Sequence, residues 1–208
     1  MTTRAFPTCG IMLNGGPNIL LPEVLLVGYR NGFFPMGEPE TGRVLWHRPD
    51  PRAVIPLDAV HLPRSLRQTM RKAPYSITIN TCFEDVIGAC SEREDTWITD
   101  EVIDAYTELH HMGFAHSMEA WSGTELAGGL YGVALGGAFF GESMFSRERD
   151  ASKVTFVHLV ARLNERGFRL LDTQYINDFT ASLGALEIPD AVYQSLLAAA
   201  LAVPCSFV

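Results

Sequence analysis

The chain predicts an α+β fold in which helices pack on a mostly antiparallel sheet, and three observations carry that expectation. Hydrophobic residues make up 47% of its 208 residues, enough to fill the core of a sizeable domain. Three apolar runs between residues 115 and 145 are separated only by short glycine turns, the pattern of an antiparallel meander. Segments with helical periodicity and recognisable end signals stand on both sides of that meander.

Taken in order, the first sixty residues are rich in Pro and Gly. A helix runs there from about Pro22 to Asn31, with proline in its first turn and Gly32 placed to end it. The rest of that region reads as turns and short strands of a small N-terminal domain, 1–61. Pro63 opens a helix to Lys72, Tyr75 to Asn80 reads as a strand, and Thr81 and Glu84 have capping-box spacing for a helix reaching Cys90. Thr99 caps the next helix, whose stripe of Val102, Ile103, Tyr106 and Leu109 stops at Gly113. The meander follows as 115–121, 126–135 and 138–145. A helix from about Ser152 to Arg166 ends at Gly167, a strand runs from Phe168 to Thr173, and a last helix begins near Pro189. The second domain is thus 62–208, and its order of elements resembles the N-acetyltransferase-like fold.

A formal net charge of −8 excludes a surface that attracts nucleic acid everywhere, yet leaves room for a local basic stripe. No apolar run reaches the roughly 18 residues of a membrane span, and the N-terminus lacks the basic-then-apolar pattern of a secretory leader. A cytoplasmic protein with no membrane partner is expected. Cys9, Cys82, Cys90 and Cys205 show no CxxC spacing, so reduced thiols are expected. His110, His111 and His116 lack zinc-ligand spacing, neither glycine pair opens a helix as a phosphate cradle, and no GxSxG or Cys/His nucleophile signature is present. Neither a metal nor a cofactor is expected.

The informative runs are 141–147 and 171–174, strand-like segments carrying Glu142, Asp172 and Gln174 where apolar side chains are usual. An ionised carboxylate on a buried strand is costly unless something pairs with it. Strand alternation puts Asp172 and Gln174 on one face, roughly 6 to 7 Å apart, as a pair acting on one substrate group or as a polar strand end tied into a loop. Glu142 shares a face with Phe140 and Met144, either as the polar end of an apolar strip or as half of a salt bridge. On the helix after Pro63, Arg64, Arg67 and Arg71 fall within roughly a 60° sector, with Lys72 at its end. That edge suits a phosphate backbone or a solvated face. Trp46, Trp97 and Trp121 can stack on a base or fill the core.

Together these runs resemble the leucyl/phenylalanyl-tRNA-protein transferases over nearly the whole chain. The matching stretches are 29–35 (YRNGFFP), Leu45-Trp46, 49–54, 64–66, 96–99, 115–117, 128–133, 141–147, 151–153, 172–174 and 182–185. The resemblance implies a small N-terminal domain joined to an N-acetyltransferase-like domain. It also implies transfer of Leu or Phe, and less readily Met, from aminoacyl-tRNA to the N-terminal Arg or Lys of a protein, which marks that protein for degradation. Asp172 and Gln174 would be catalytic. Glu142, Trp46, Trp97, Leu130, Ser143, Leu171 and Asn177 would bind substrate, and Arg64, Arg67, Arg71 and Lys72 would bind tRNA. A monomer is expected.

An aminoacyl ester is already activated, so the chemistry needs a neutral amine held at its carbonyl carbon. Gln174, oriented by Asp172, is expected to accept a hydrogen bond from that amine, with Asp172, water or the leaving ribose hydroxyl taking the proton. Departures from the family pattern are Met36, His47, Thr173, Phe179 and the region 14–22. Two rivals are an acyl-CoA N-acyltransferase, disfavoured by the glycine-free junction 146–152, and a non-catalytic binder of basic protein N-termini.

Overall fold

The computed structural model describes residues 20–38, 41, 43–93 and 96–208. Cys9 and most of the 14–22 region lie outside them. The elements are α1 (Pro22–Arg30), β1 (Phe34–Gly37), β2 (Val44–His47), β3 (Arg52–Ile55), α2 (Arg64–Lys72), β4 (Ser76–Ile79), α3 (Phe83–Ser91), α4 (Asp100–His111), β5 (Ala115–Ser122), β6 (Glu125–Leu135), β7 (Ala138–Ser146), α5 (Ala151–Glu165), β8 (Leu170–Gln174), α6 (Asp178–Ser182), β9 (Leu186–Ile188) and α7 (Asp190–Leu201). The α+β architecture matches the expectation. A seven-stranded sheet runs β4-β5-β6-β7-β8-β3-β9, and β1 and β2 form a separate pair. Every neighbour in the large sheet is antiparallel except β7 and β8, which run parallel with α5 as their crossover.

Local chemistry explains most of the helix ends. Pro22 occupies the first turn of α1, and the Thr99 hydroxyl accepts the Val102 N–H at the start of α4. At α3 the outcome differs, because the helix starts one residue later than the Thr81–Glu84 spacing requires. Its N-cap is Cys82, which makes no side-chain cap bond. A capping box forms instead at α6, where Asn177 accepts the Thr180 N–H and the Thr180 hydroxyl accepts the Asn177 N–H. Neither α6 nor β9 was expected. The division after residue 61 leaves β3 on the N-terminal side, yet β3 hydrogen-bonds only to β8 and β9 in the large sheet. All four β3 residues are buried, so the strand lacks the alternation that reveals a half-exposed one.

The sheet separates two apolar layers. Against one face pack α1, α3, α4 and α7, enclosing Tyr29, Tyr106, Tyr131 and Phe140. Against the other lie α2, α5 and the C-terminal tail, around Phe139, Phe156, Leu163 and Phe207. The neighbours Phe139 and Phe140 point to opposite layers, as strand alternation requires.

Two irregularities in β7 open the sheet. The register between β6 and β7 slips at Tyr131/Gly132: Tyr131 faces Ser143 and Gly132 faces Gly141, leaving Glu142 as the extra residue of a bulge. Glu142 therefore does not share the alternation of Phe140 and Met144. The backbone closes tightly there, since a Cβ on Gly132 would lie 2.3 Å from the Phe140 carbonyl oxygen. In addition, β7 pairs with β8 only from Ala138–Leu170 to Phe140–Asp172, so the strands part just before Glu142 and Gln174.

Among the described residues no helix is long and apolar enough to cross a membrane. Cys82, Cys90 and Cys205 are free thiols.

Buried His116 stacks on Phe207 of the C-terminal tail, with ring centroids 4.7 Å apart. Burial, with the nearby His110 adding to it, pushes His116 down to about 4. Its neutral form belongs to the fold, so stability is full above the unfolded value of 6.5 and falls progressively as pH drops to about 4. The urea midpoint of the protein should drop across that window, and less steeply in His116→Phe, which keeps the ring contact without a titrating group.

Candidate active site

The site is built on an ion pair between β3 and β8. Asp172 and Arg52 are 0% and 1% exposed. Arg52 Nε donates to Asp172 Oδ1 at 2.9 Å and Nη2 donates to Oδ2 at 2.7 Å, a two-point geometry that suits a planar guanidinium. Tyr193 of α7 donates its hydroxyl to Oδ2 at 2.6 Å, and Arg52 Nη1 reaches the Gly32 carbonyl at 3.0 Å. The guanidinium lies between the Phe34 and Tyr193 rings, 4.7 Å from each centroid. Burial works against the charge on Arg52, but the Asp172 carboxylate outweighs it and holds the guanidinium above its ordinary range.

The remaining Asp172 contact sets Gln174. The Gln174 N–H donates to Asp172 Oδ1 at 2.9 Å, and Gln174 takes φ +57°, a left-handed conformation uncommon outside glycine. Simple alternation therefore fails at the strand end. Gln174 lines a cavity of about 240 Å³ where β7 and β8 part, whereas Asp172 does not reach it. The expectation that both side chains project together is thus corrected: only the amide enters the cleft.

Across the gap, Gln174 Nε2 donates to Glu142 Oε1 at 3.2 Å. The same oxygen accepts the Tyr29 hydroxyl at 2.7 Å, and Oε2 accepts the Tyr106 hydroxyl at 3.4 Å. The two phenol oxygens also lie within hydrogen-bond distance of each other. Burial pushes Glu142 up to about 8; the Tyr29 hydrogen bond opposes that, Asp172 adds to it, and Arg52 and Tyr106 oppose it again. Burial, then the Glu142 charge, raises both phenols well above 10, so they stay neutral donors.

The cavity has a polar end and an apolar wall. Leu130, Met144, Phe156, Leu159 and Phe179 form the wall, with Trp97, Ser143, Asn177 and Arg93 also lining it. Asn177 uses its carbonyl oxygen to cap α6. Leu171 is fully buried in the core on the α5 side and does not line the cavity. Trp46 also lies outside the lining and packs against the other layer, over Gly28, where a Cβ would fall 2.2 Å from the indole. Arg64, Arg67 and Arg71 line a separate depression with Gln68. They and Lys72 are exposed, and among the described residues none pairs with a carboxylate.

Two of the departing residues make aromatic contacts. His47 stacks on Phe34 at 5.8 Å, and Phe179 meets Phe156 edge-on at 5.5 Å in the cavity wall. Sequence reasoning missed Arg52, Tyr193, Tyr29, Tyr106 and Arg93. Arg52 and Tyr29 stand inside runs quoted above, but nothing in those runs tells which charge or hydroxyl is aimed inward. Tyr131 also lines the cavity, and its buried hydroxyl has no hydrogen-bond partner among the described residues. Among the described residues no cluster of three His, Cys, Asp or Glu could hold a metal ion.

The family described as leucyl/phenylalanyl-tRNA protein transferase matches residues 54–198, and its N-terminal domain matches residues 18–50. The chain belongs to that family. Among relatives named leucyl/phenylalanyl-tRNA--protein transferase, that of Gloeobacter violaceus is 52% identical over 188 residues, covering 90% of this chain and 97% of that one. That of Rubrobacter xylanophilus is 54% identical over 189 residues, covering 90% and 98%. The chain is accordingly an aminoacyltransferase. A solved C-terminal domain of an Agrobacterium fabrum protein, described as a lysylphosphatidylglycerol synthetase, aligns with 86% of this chain and 57% of that one. At 13% identity and a TM-score of 0.42, that likeness carries no argument.

Two stability experiments test the geometry of the candidate site. Arg52→Met leaves Asp172 buried without its cation and should cost about 3 to 5 kcal/mol in chemical denaturation. The Glu142 carboxyl is the opposite case, because its folded value of about 8 lies above the unfolded 4.5. Its contribution is complete below pH 4.5 and is lost as pH rises towards 8. Glu142→Gln should therefore melt higher than the parent at pH 8.5, with a smaller advantage or none at pH 5.

Proposed function

We propose that the chain transfers Leu or Phe, and less readily Met, from aminoacyl-tRNA to the N-terminal Arg or Lys of an acceptor protein. The product is thereby marked for degradation, and the enzyme works as a monomer in the cytoplasm. Family membership supports the donor and the reaction. One observation supports the placing of the attacking amine: an apolar cavity ends at a Gln174 amide whose nitrogen is engaged by Glu142, leaving Oε1 without a protein partner among the described residues.

The reaction follows from that arrangement. The Leu or Phe side chain occupies the wall formed by Leu130, Met144, Phe156 and Leu159. Pockets of this kind separate apolar side chains differing by a methylene by only about 1 to 3 kcal/mol, so the three donors overlap. An α-amine has a reference pKa near 8, so a useful fraction is neutral without a strong base. Gln174 Oε1 accepts a hydrogen bond from that amine and aims it at the ester carbon. The new C–N bond forms as the ester C–O bond breaks.

An amide oxygen is too weak a base to keep the amine proton, which passes to water or to the departing ribose hydroxyl. Asp172 is a poor acceptor for it, because it is fully enclosed and already receives hydrogen bonds from Arg52, Tyr193 and the Gln174 N–H. Its role is to position Gln174. Glu142 faces the cationic acceptor, whose charge favours the ionised carboxylate.

The junction after β7 leaves few backbone N–H groups for an acyl-CoA pyrophosphate. A pyrophosphate site there needs free backbone N–H groups. Those of Arg147 and Glu148 both bond to the Ala127 carbonyl, that of Ala151 bonds to Glu148, and that of Ser152 bonds to the Ser146 hydroxyl. The exposed Arg64, Arg67 and Arg71 edge suits the acceptor arm of tRNA.

Mixing the protein with charged Phe-tRNA and an Arg-initiated peptide should give peptide extended by Phe. No extension would sink the reading. Gln174→Ala should lower kcat by about 10²-fold while donor affinity stays near the parent value. Arg67→Glu should weaken tRNA binding and flatten its dependence on salt, read from Kd at several ionic strengths.

A further inference from the structure

We propose that Arg93 is a donor-binding residue that clamps the phosphodiester next to the 3′-terminal nucleoside of the aminoacyl-tRNA. This assignment rests on the transfer reading above. Arg93 stands just after α3, exposed to solvent, and lines the cavity mouth. Its Nη2 donates to Ser143 Oγ at 3.1 Å and to the Met144 carbonyl, two neutral acceptors on the stretch of β7 that follows the Glu142 bulge. One corner of the guanidinium is thus fixed to the cavity wall. Nε and Nη1 have no hydrogen-bond partner among the described residues.

The neighbouring charges single this cation out. Arg147 pairs with Glu92 at 3.4 Å, and Lys153 pairs with Asp150 at 3.7 Å. Arg93 has no carboxylate within ion-pair distance among the described residues; Glu94 and Asp95 lie outside them. The cavity therefore carries Glu142 at its inner end and, at its mouth, a guanidinium that no carboxylate among the described residues neutralises. A cationic protein N-terminus is attracted to the first and repelled by the second. The partner that complements Arg93 is anionic, and the donor supplies such a group one nucleoside away from the reactive ester. A planar guanidinium with two donor positions unclaimed among the described residues matches two phosphate oxygens, which a neutral side chain or a lysine matches less well.

Binding of two unreactive donors tests this without requiring turnover: amide-linked phenylalanyl-aminoadenosine, with and without a 5′-phosphate, titrated calorimetrically into parent protein and Arg93→Met. The parent should bind the phosphorylated compound about fivefold more tightly at low salt. Arg93→Met should bind both compounds equally, with the affinity of the phosphate-free parent complex. The assignment is overturned if the parent shows no phosphate preference or if the variant keeps it. Equal loss for both compounds also overturns it, since Arg93 would then only support Ser143 or act at the ester. Transfer from Phe-tRNA, measured separately on the parent, decides the underlying reading.

Discussion

Arg52 and Asp172 form an ion pair beyond the reach of water, and each would be costly there without the other. Their two-point contact ties β3 to β8 across a separation of 120 residues, and Tyr193 and Gly32 bring in α7 and the segment after α1. The pair has the usual cost of buried charge. It offsets that cost by satisfying nearly every oxygen and nitrogen it contains. What the protein gains is position, because the Asp172 oxygen that takes Arg52 Nε also holds the Gln174 backbone in a left-handed conformation. The amide that enters the cavity is thus held from behind by a charge that never enters it.

The cavity itself is a consequence of strand geometry. Two parallel strands that stay paired leave no room between them, and β7 and β8 pair for only three residues each. The bulge at Glu142 adds twist at the point of separation and turns a carboxylate towards the phenols of α1 and α4. Gln174 spans the opening to Glu142, so the two strands remain joined by side chains where their backbones have parted. Apolar residues from α5 and α6 then close one side of the gap.

Electrostatics divide the labour within this space. The carboxylate of Glu142 is held near its tipping point by burial on one hand and phenolic hydrogen bonds on the other. A cation placed beside it would shift that balance towards the ionised form. The basic groups lie elsewhere, at the mouth and along α2. An overall charge of −8 is compatible with a local basic edge because Arg64, Arg67, Arg71 and Lys72 stand together on α2.

Periodicity and end signals in the sequence determined the helices from α1 to α5, the β5 to β7 meander and the α+β class, since each depends on residues close together in the chain. The matched runs also led to Glu142 and Gln174. The Thr81–Glu84 cap, the common face of Asp172 and Gln174, and the place of β3 could not be read that way. A one-residue bulge, a positive φ and a fully buried strand each break the local pattern on which such readings rest. Only the tertiary structure decided that Asp172 lies behind the cavity and Arg93 at its mouth, because the contacts that direct those side chains come from residues as many as 120 positions away.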